Sequence, residues 1–462
     1  MKILLNPEEW VLNLYTENNN KEFKISDYII QTELEDEILI LHTITWSIYC
    51  LSKTEFCNIL TNDTLIKNKV VVTIDLDESK IANEVYISRM SKKTLPTYNS
   101  INSFIIFTTT ACNARCSYCY EKGISKKESM SIETAENVVQ FMKNKCREYN
   151  GKKIINIQWF GGEPMLNKPV IDYISSRLNE LNIYFTTIMI SNGFLLNKEN
   201  LKTIKNWNLR TVQITLDGLY DDYNNTKNYV YSDIDAYLTI INNIHYILDY
   251  TNTEVKVRIN ASNENIFKLY DDILYLKEEF KEYYDNKFSL YVSPLYQFYD
   301  EDTDAVDGFY DELNKISEIA YVLKTEKCIE NVLSKKVLKR KNINNANCMA
   351  YSCNAVCITP SGNITPCEHI VETDILGNVV DGITNISVIE KWNKFDDVNE
   401  LKFCLSSKCP YHPMCAKFYH CENEKLCKTE FRKNQRIDKI KTSLINTKKY
   451  YDVEIEKIKG GK

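Results

Sequence analysis

No run of apolar residues in this 462-residue chain approaches the roughly 20 needed to cross a bilayer as a helix, which excludes that kind of membrane protein. Positive charge is not in excess either. Fifty-seven Lys and Arg stand against 63 Asp and Glu, a net charge of −6 and a pI near 5.7. That balance gives no reason to expect a nucleic-acid or anionic-membrane partner. Internal repeats are lacking, and low complexity is confined to short Asn-rich or Lys-rich patches, so a repeat architecture is excluded. The start, "MKILLNPEEW", has neither the apolar h-region nor the cleavage site of a signal peptide. A cytoplasmic protein is therefore the expectation.

Cysteine, by contrast, is abundant. Thiols stay reduced in the cytosol, so 16 cysteines point to metal or catalytic thiolates rather than to a disulfide scaffold. Ten of them lie between Cys328 and Cys427, and three more, Cys112, Cys116 and Cys119, share "TTTACNARCSYCYEKG". Cys50, Cys57 and Cys146 are isolated and read as small buried hydrophobes.

The length suits two or three domains, and a 44% apolar content is enough to bury real cores. Residues 1–95 read as a separate acidic α+β domain. The first 100 residues carry 15 Asp and Glu against 10 Lys and Arg. Strand-like stretches "EILILHT" and "KVVVTIDLD" flank a helix expected near 53–66. "SKKTLPTYNS" reads as a linker. From 101 to 300 the pattern is regular, with strands expected at 103–110, 154–160, 183–193, 210–218, 254–262 and 287–296. Amphipathic helices separate them, as in "SIETAENVVQFMKNKC", where Ser131 is the candidate cap. Six βα units predict a parallel sheet and an α/β fold, a partial (β/α)6 TIM-like barrel with its ligand at the carboxyl ends of the strands. Residues 301–347 read as bridging helices. Residues 348–427 are cysteine-rich and short of regular periodicity, as where metal replaces a core. The tail, 428–462, places Ile437, Ile440 and Leu444 at helical spacing as a packing stripe.

Three cysteines after the first strand suit an iron–sulfur cluster with one iron left without a protein ligand. A zinc site borrowing a fourth ligand from elsewhere is the alternative on spacing alone. C-x3-C-x2-C with an aromatic, Tyr118, before the third cysteine resembles the radical S-adenosylmethionine (SAM) superfamily, and the resemblance covers roughly residues 101–300. "GGEP" (Gly161, Gly162, Glu163, Pro164) follows the second strand, where family members hold the SAM amino group. From the residues alone, two glycines let a backbone approach a ligand and the proline stiffens the exit, although an ordinary turn has the same composition. "SNG" ends the third strand, and the resemblance gives Ser191, with Asn192, to the SAM carboxylate or ribose. "QITLDG" ends the fourth strand, giving Thr215 and Asp217 to the pocket wall. Asp217 is also a candidate catalytic residue, or simply the cap of the following turn. Arg258 in "VRIN" ends the fifth strand and offers a carboxylate its bidentate fork, or forms a surface salt bridge. The resemblance implies a [4Fe–4S] cluster whose open iron binds SAM. Its reductive cleavage gives a 5′-deoxyadenosyl radical that abstracts hydrogen from an unactivated C–H bond, with the protein supplying orientation.

"CMAYSCNAVCITPSGNITPC", followed by "CLSSKCPYHPMCAKFYHC" and Cys427, resembles the SPASM domain, which binds two auxiliary [4Fe–4S] clusters in peptide- and protein-modifying members of that superfamily. Carried over in order, the ligands are Cys348, Cys353, Cys367 and Cys421 for one cluster, and Cys404, Cys409, Cys415 and Cys427 for the other. Cys357 competes with Cys353. The family spacing C-x2-C-x5-C-x3-C stands here as C-x4-C-x5-C-x5-C, so only the middle interval matches. Paired zinc sites, with His412 and His420 as further donors, are the alternative. Glu368 directly follows Cys367, where sulfatase-maturing relatives carry a basic Asp. It is a candidate proton acceptor, or a hydrogen-bond partner of a cluster ligand. The resemblance implies a maturase acting on a ribosomally made precursor peptide with a leader, most simply forming a Cys thioether, and fed by a flavodoxin or ferredoxin. Maturation of a sulfatase or amine dehydrogenase and carbon–carbon cross-linking are alternatives. An iron–sulfur carrier or a zinc-stabilised binding module is the reading outside enzymes.

Overall fold

The computed structural model describes residues 1–16, 21–91, 98, 101–119, 121, 127–146, 148–149, 152–231, 234–284, 286–295, 312, 315–316, 349–368, 372–393, 407–414, 437 and 440–452. Cys328, Cys348, Cys404, Cys415, Cys421, Cys427 and His420 lie outside them. The described residues form two compact units, one drawn from 1–95 and 393–462, the other from 96–323 and 349–392. None of the helices searched is long and apolar enough to cross a membrane.

The first unit is an antiparallel sheet with short helices. Its strands are β1 (Lys2–Leu5), β2 (Phe23–Ile25), β3 (Ile29–Leu34), β4 (Glu37–His42), β5 (Ser47–Ser52) and β6 (Val71–Thr73), and its helices α1 (Glu9–Leu12), α2 (Lys53–Cys57), α3 (Asp63–Lys67) and α4 (Glu78–Ser91). The main sheet has the order β1-β5-β4-β3, with β2 and β6 paired apart from it. "EILILH" is apolar without alternation because both faces of β4 are covered. Leu39 and Leu41 pack with Trp46, Ile48, Met414 and Leu444, while Ile38 and Ile40 pack with Tyr49, Ile59, Leu65 and Val71. Ile437 and Ile440 lie against the first of these clusters, so the tail stripe is packing surface. The helix expected near 53–66 is broken into α2, a 3-10 turn (Ile59–Thr61) and α3. Asn62 restarts the backbone by capping Leu65. Arg89, at the end of α4, gathers the unit. Its guanidinium donates to the carbonyls of Thr43, Ile44 and Pro413 and pairs with Glu8 at 2.7 Å. Cys50 is buried as expected, whereas Cys57 is exposed. It falls on α2, which buries none of its residues.

The second unit is built on a parallel sheet. The six expected strands are present as β7 (Ser103–Thr109), β9 (Lys152–Gly161), β10 (Tyr184–Ser191), β11 (Leu209–Thr215), β12 (Glu254–Ala261) and β13 (Phe288–Pro294), with a short β8 (Glu148–Tyr149) pairing β9. They lie side by side in chain order, each parallel to the next. Helices α5 (Ile132–Lys145), α6 (Lys168–Glu180), α7 (Tyr220–Lys227), α8 (Ala236–Tyr250) and α9 (Leu269–Glu279) connect them. Ser131 caps α5 by accepting the Thr134 N–H at 3.0 Å. Glu136 goes instead to Arg177 and Tyr173. Burial alternates along these strands: in β10 Phe185, Thr187, Met189 and Ser191 are buried, while Tyr184 and Ile188 are exposed.

The sheet does not stop at β7. "AVCI", β14 (Ala355–Ile358), lies parallel to β7, and β15 (Asn363–Thr365), β16 (Gly377–Asn378) and β17 (Gly382–Ile383) extend it antiparallel. The expectation of little regular structure after 348 is corrected here. All four β14 residues are buried, so a strand this short shows no period-2 signal.

Candidate active site

The carboxyl end of β7 runs directly into the cysteine loop. Thr109 and Thr110 fasten its start to Glu128, and the Arg115 side chain folds back onto the Cys112 and Ala114 carbonyls at 2.8 Å each. The Cys112 sulfur accepts the Ala114 N–H at 3.4 Å. Burial pushes the Cys112 thiol up to about 11, with the charges of Glu163, Cys116 and Cys119 adding to it, and burial raises Cys119 as well. Ligation by these thiols therefore releases protons. Among the described residues no three His, Cys, Asp or Glu side chains converge on one ion. A multi-iron cluster takes its cysteines on separate irons, and three thiols of one loop within electrostatic reach of each other suit that demand.

The Gly-Gly-Glu-Pro turn is pressed against this loop. A Cβ on Gly161 would stand 2.1 Å from the Thr109 carbonyl oxygen, and one on Gly162 2.3 Å from that of Ala111. Gly161 also has φ +124°, open in practice only to glycine. The contact is bonded, since the Gly162 N–H donates to Thr109 O at 3.0 Å and that of Glu163 to Ala111 O at 2.9 Å.

Glu163 is fully buried and braces the next strand end. Its carboxylate accepts the Ser191 hydroxyl at 2.9 Å, the Asn192 N–H at 2.8 Å and the Met165 N–H at 3.1 Å. Burial still lifts its pKa to about 7 against those three donors. Ser191, buried, also accepts the Gly193 N–H. The Asn192 side chain donates to Asn113 Oδ1 at 2.7 Å and lies 4.0 Å from the Cys112 sulfur. Among the described residues the buried Nδ2 of Asn113 has no hydrogen-bond partner. This orphaned donor beside Cys112, together with the glycine shelf, fits a polar ligand at the loop.

The fourth strand contributes a buried ion pair. Asp217 accepts the Asn260 N–H at 2.9 Å, the Tyr118 hydroxyl, and the ammonium of Lys227 at 2.9 Å. It thus ties the cysteine loop to β12 rather than capping its own turn. Sequence reasoning missed Lys227. A lysine in the last turn of a polar helix ordinarily points to water, and nothing in "YDDYNNTK" marks its burial. Arg258 does not end its strand, because β12 continues to Ala261, pairing Ser293 and Pro294. It lies opposite Thr215, the last residue of β11. Its Nε donates to Asn260 Oδ1 at 2.9 Å and its Nη2 reaches Ser293 Oγ at 3.4 Å. Among the described residues no carboxylate pairs with this guanidinium, so the expected alternative of a surface salt bridge is not formed.

The remaining candidates lie at the β14 edge. Cys353 and Cys357 are buried, Cys357 opposite Ile105 of β7 and Thr365 of β15. Burial, followed by the charge of Glu368, raises the Cys357 thiol well above its usual range. The half-buried Cys367 thiol donates to Glu368 Oε2 at 3.4 Å. Cys409 belongs to the first unit, where Lys408 pairs with Asp27 at 2.9 Å.

Residues 106–260 match the model of the Radical SAM superfamily. The chain carries a radical SAM superfamily domain. That domain makes it an enzyme, and the superfamily's cofactors are a [4Fe–4S] cluster and SAM, for which the cysteine loop and the shelf beside it hold suitable donors. An uncharacterized protein of Methanocaldococcus jannaschii is 28% identical over 184 residues, 38% of this chain and 59% of that protein. The GTP 3',8-cyclase of Alkaliphilus metalliredigens is 36% identical over 124 residues, 27% of this chain and 37% of the cyclase. That of Clostridium botulinum is 27% identical over 61% of this chain and 85% of the cyclase. The chain thus spans little more than half of the first of these relatives and about a third of the second. Among solved structures, anSMEcpe with bound AdoMet superposes with a TM-score of 0.49 at 16% identity, over 75% of this chain and 98% of that one. Streptococcus suis SuiB bound to precursor peptide SuiA gives 0.46 at 13%, over 88% and 100%.

Proposed function

We propose that the protein is a radical SAM maturase of a ribosomally made peptide, joining a substrate cysteine to a carbon of another residue as a thioether. The carrying observation is the pairing of two cysteine systems in one chain: the loop Cys112, Cys116 and Cys119 at the end of β7, and the later run from Cys348 to Cys427, which resembles a SPASM domain. The cluster and SAM supply hydrogen abstraction. The chain's own residues orient the site. Glu163 fixes Ser191 and Asn192, Asn113 offers a free amide donor, and Arg258 offers a cation to a carboxylate. Cys353, Cys357 and Cys367 would serve one auxiliary [4Fe–4S] cluster with Cys348 and Cys421, and Cys409 the other with Cys404, Cys415 and Cys427. Glu368 beside Cys367 would take the thiol proton released as the bond forms, and the electron left over from C–S bond formation would go to an auxiliary cluster. A flavodoxin or ferredoxin would supply electrons.

The first unit would hold the leader, as an added strand on the edge of β3 that no described strand pairs. Deleting residues 1–95 is a poor test, since Met414 and Leu444 share their core. Lysines at the exposed Gln31 and Glu33 block edge pairing without touching it. Precursor affinity is expected to fall about tenfold or more, with SAM cleavage intact, and unchanged affinity excludes this role.

The similarity to GTP 3',8-cyclases, spanning 85% of one of them, favours a second reading, cyclisation of a nucleotide. The deciding experiment measures iron and sulfide on anaerobically reconstituted protein, wild type against the triple Cys112/Cys116/Cys119→Ala variant. Three four-iron clusters give about twelve irons falling to about eight. About four falling to none removes the auxiliary clusters and with them the thioether reading. Mass analysis after incubation with GTP or with short cysteine-rich peptides then separates the two substrates.

A further inference from the structure

Lys227 is joined to the cysteine loop at both of its ends. Its carbonyl oxygen accepts the Arg115 N–H at 2.8 Å, between Cys112 and Cys116. Its ammonium donates to the Tyr118 hydroxyl at 2.5 Å, between Cys116 and Cys119. The next turn adds a further bond, from the Val230 N–H to Asn113 O at 3.0 Å. The ammonium lies 5.2 Å from the centre of the Tyr118 ring and 5.9 Å from that of Tyr223. It is buried with Asp217, the two side chains 4% and 2% exposed. A lysine so buried keeps its charge only when its partners outweigh desolvation. Here burial is opposed by Asp217, Tyr118 and Cys116, and the ammonium is held well above its usual range. A structural lysine needs only Asp217. The bond from its ammonium to Tyr118, inside the cysteine motif, is additional to that need, whereas the carbonyl bond to Arg115 belongs to the main chain.

We propose that Lys227 is a positioning residue for the iron–sulfur loop: its ammonium fixes Tyr118, between Cys116 and Cys119, and sets there the positive charge that eases electron uptake by the bound cluster. The proposal rests on the cluster reading of Cys112, Cys116 and Cys119. A fixed cation in a medium of low dielectric favours the more negative, reduced state of a cluster near it. Charge and shape are separable, because arginine keeps the cation and glutamine keeps only a polar end.

The experiment is an EPR-monitored redox titration of SAM-free reconstituted protein, with iron content and melting temperature measured on the same samples, for wild type, Lys227→Gln and Lys227→Arg. Lys227→Gln is expected to hold wild-type iron at the loop and to take its electron less readily. At the wild-type midpoint its reduced-to-oxidised ratio falls about tenfold, a shift of about 59 mV for one electron, and Lys227→Arg restores most of it. If Lys227→Gln binds no iron while Lys227→Arg binds it at the wild-type potential, the charge is what places the loop and the proposal stands. A wild-type potential in Lys227→Gln overturns it. So does loss of iron from both variants, whether the fold survives or not, because shape rather than charge is then what the loop needs. Failure of the cluster reading shows separately, as wild-type protein that loses no iron when its three loop cysteines are replaced.

Discussion

Two buried polar systems, one in each unit, meet the same low dielectric in opposite ways. In the antiparallel unit, Glu78 accepts the Ser26 hydroxyl at 2.6 Å. Ser26 lies 3.2 Å from His42 Nε2, and His42 Nδ1 lies 2.6 Å from Thr45. Among the described residues no opposite charge touches His42. Burial, with the Arg89 charge behind it, pushes its pKa down to about 3, and burial raises Glu78. Both groups move toward their neutral forms. In the parallel unit Lys227 stands 2.9 Å from Asp217, and its ammonium is held well above its usual range. Desolvation is common to both, so a contacting countercharge is the difference.

Breaking that contact has the largest expected effect. Asp217→Ala leaves a buried ammonium uncompensated and should cost about 3–5 kcal/mol in denaturant unfolding of the parallel unit. Replacing both partners, Asp217→Asn with Lys227→Met, should recover most of that loss, because neither buried charge then remains. A double variant as unstable as the single one would mean that shape, not charge, holds the site.

Acid separates the units by sign. His42 in the unfolded chain binds its proton near 6.5, and in the folded unit only near 3. Acidification through that window therefore favours unfolding, and this stability is fully present only above about 6.5. Glu163 is reversed, near 4.5 unfolded and about 7 folded. The folded parallel unit binds the extra proton, so it loses stability as pH rises from about 4.5 to 7. Hydrogen exchange followed across pH 7.5 to 5 should show protection falling in β4 and β5 and rising at the ends of β9 and β10. Glu163→Gln should flatten the second slope, with a change of about 3 kcal/mol at most. The smallest effect is expected from Ser26→Ala, about 1–3 kcal/mol from acceptors left without their hydroxyl, measured by thermal unfolding.

What was legible in the sequence follows from the range of each signal. The six parallel strands and the cysteine motif are local, written in consecutive residues, and they appear where expected. The roles of Gly161 and Gly162 were readable in kind, as a close approach, but not in target, since the partner carbonyls of Thr109 and Ala111 lie some 50 residues earlier. Lys227, His42 and the four-residue β14 were not legible. A lysine in a polar helix, a histidine in a short strand and "AVCI" acquire their character only from distant neighbours, and no periodicity records burial of that kind.

The core that closes the antiparallel unit draws Met414 and Leu444 to strands made before residue 52, and Arg89 waits for the carbonyl of Pro413. The whole parallel unit is encoded between them. At about 5–20 residues per second of synthesis, the first 91 residues leave the ribosome roughly 20–70 s before the chain that completes their core. The parallel unit has all its strands in hand first, so the order of synthesis makes Met414 and Leu444 the latch on the strands made before residue 52.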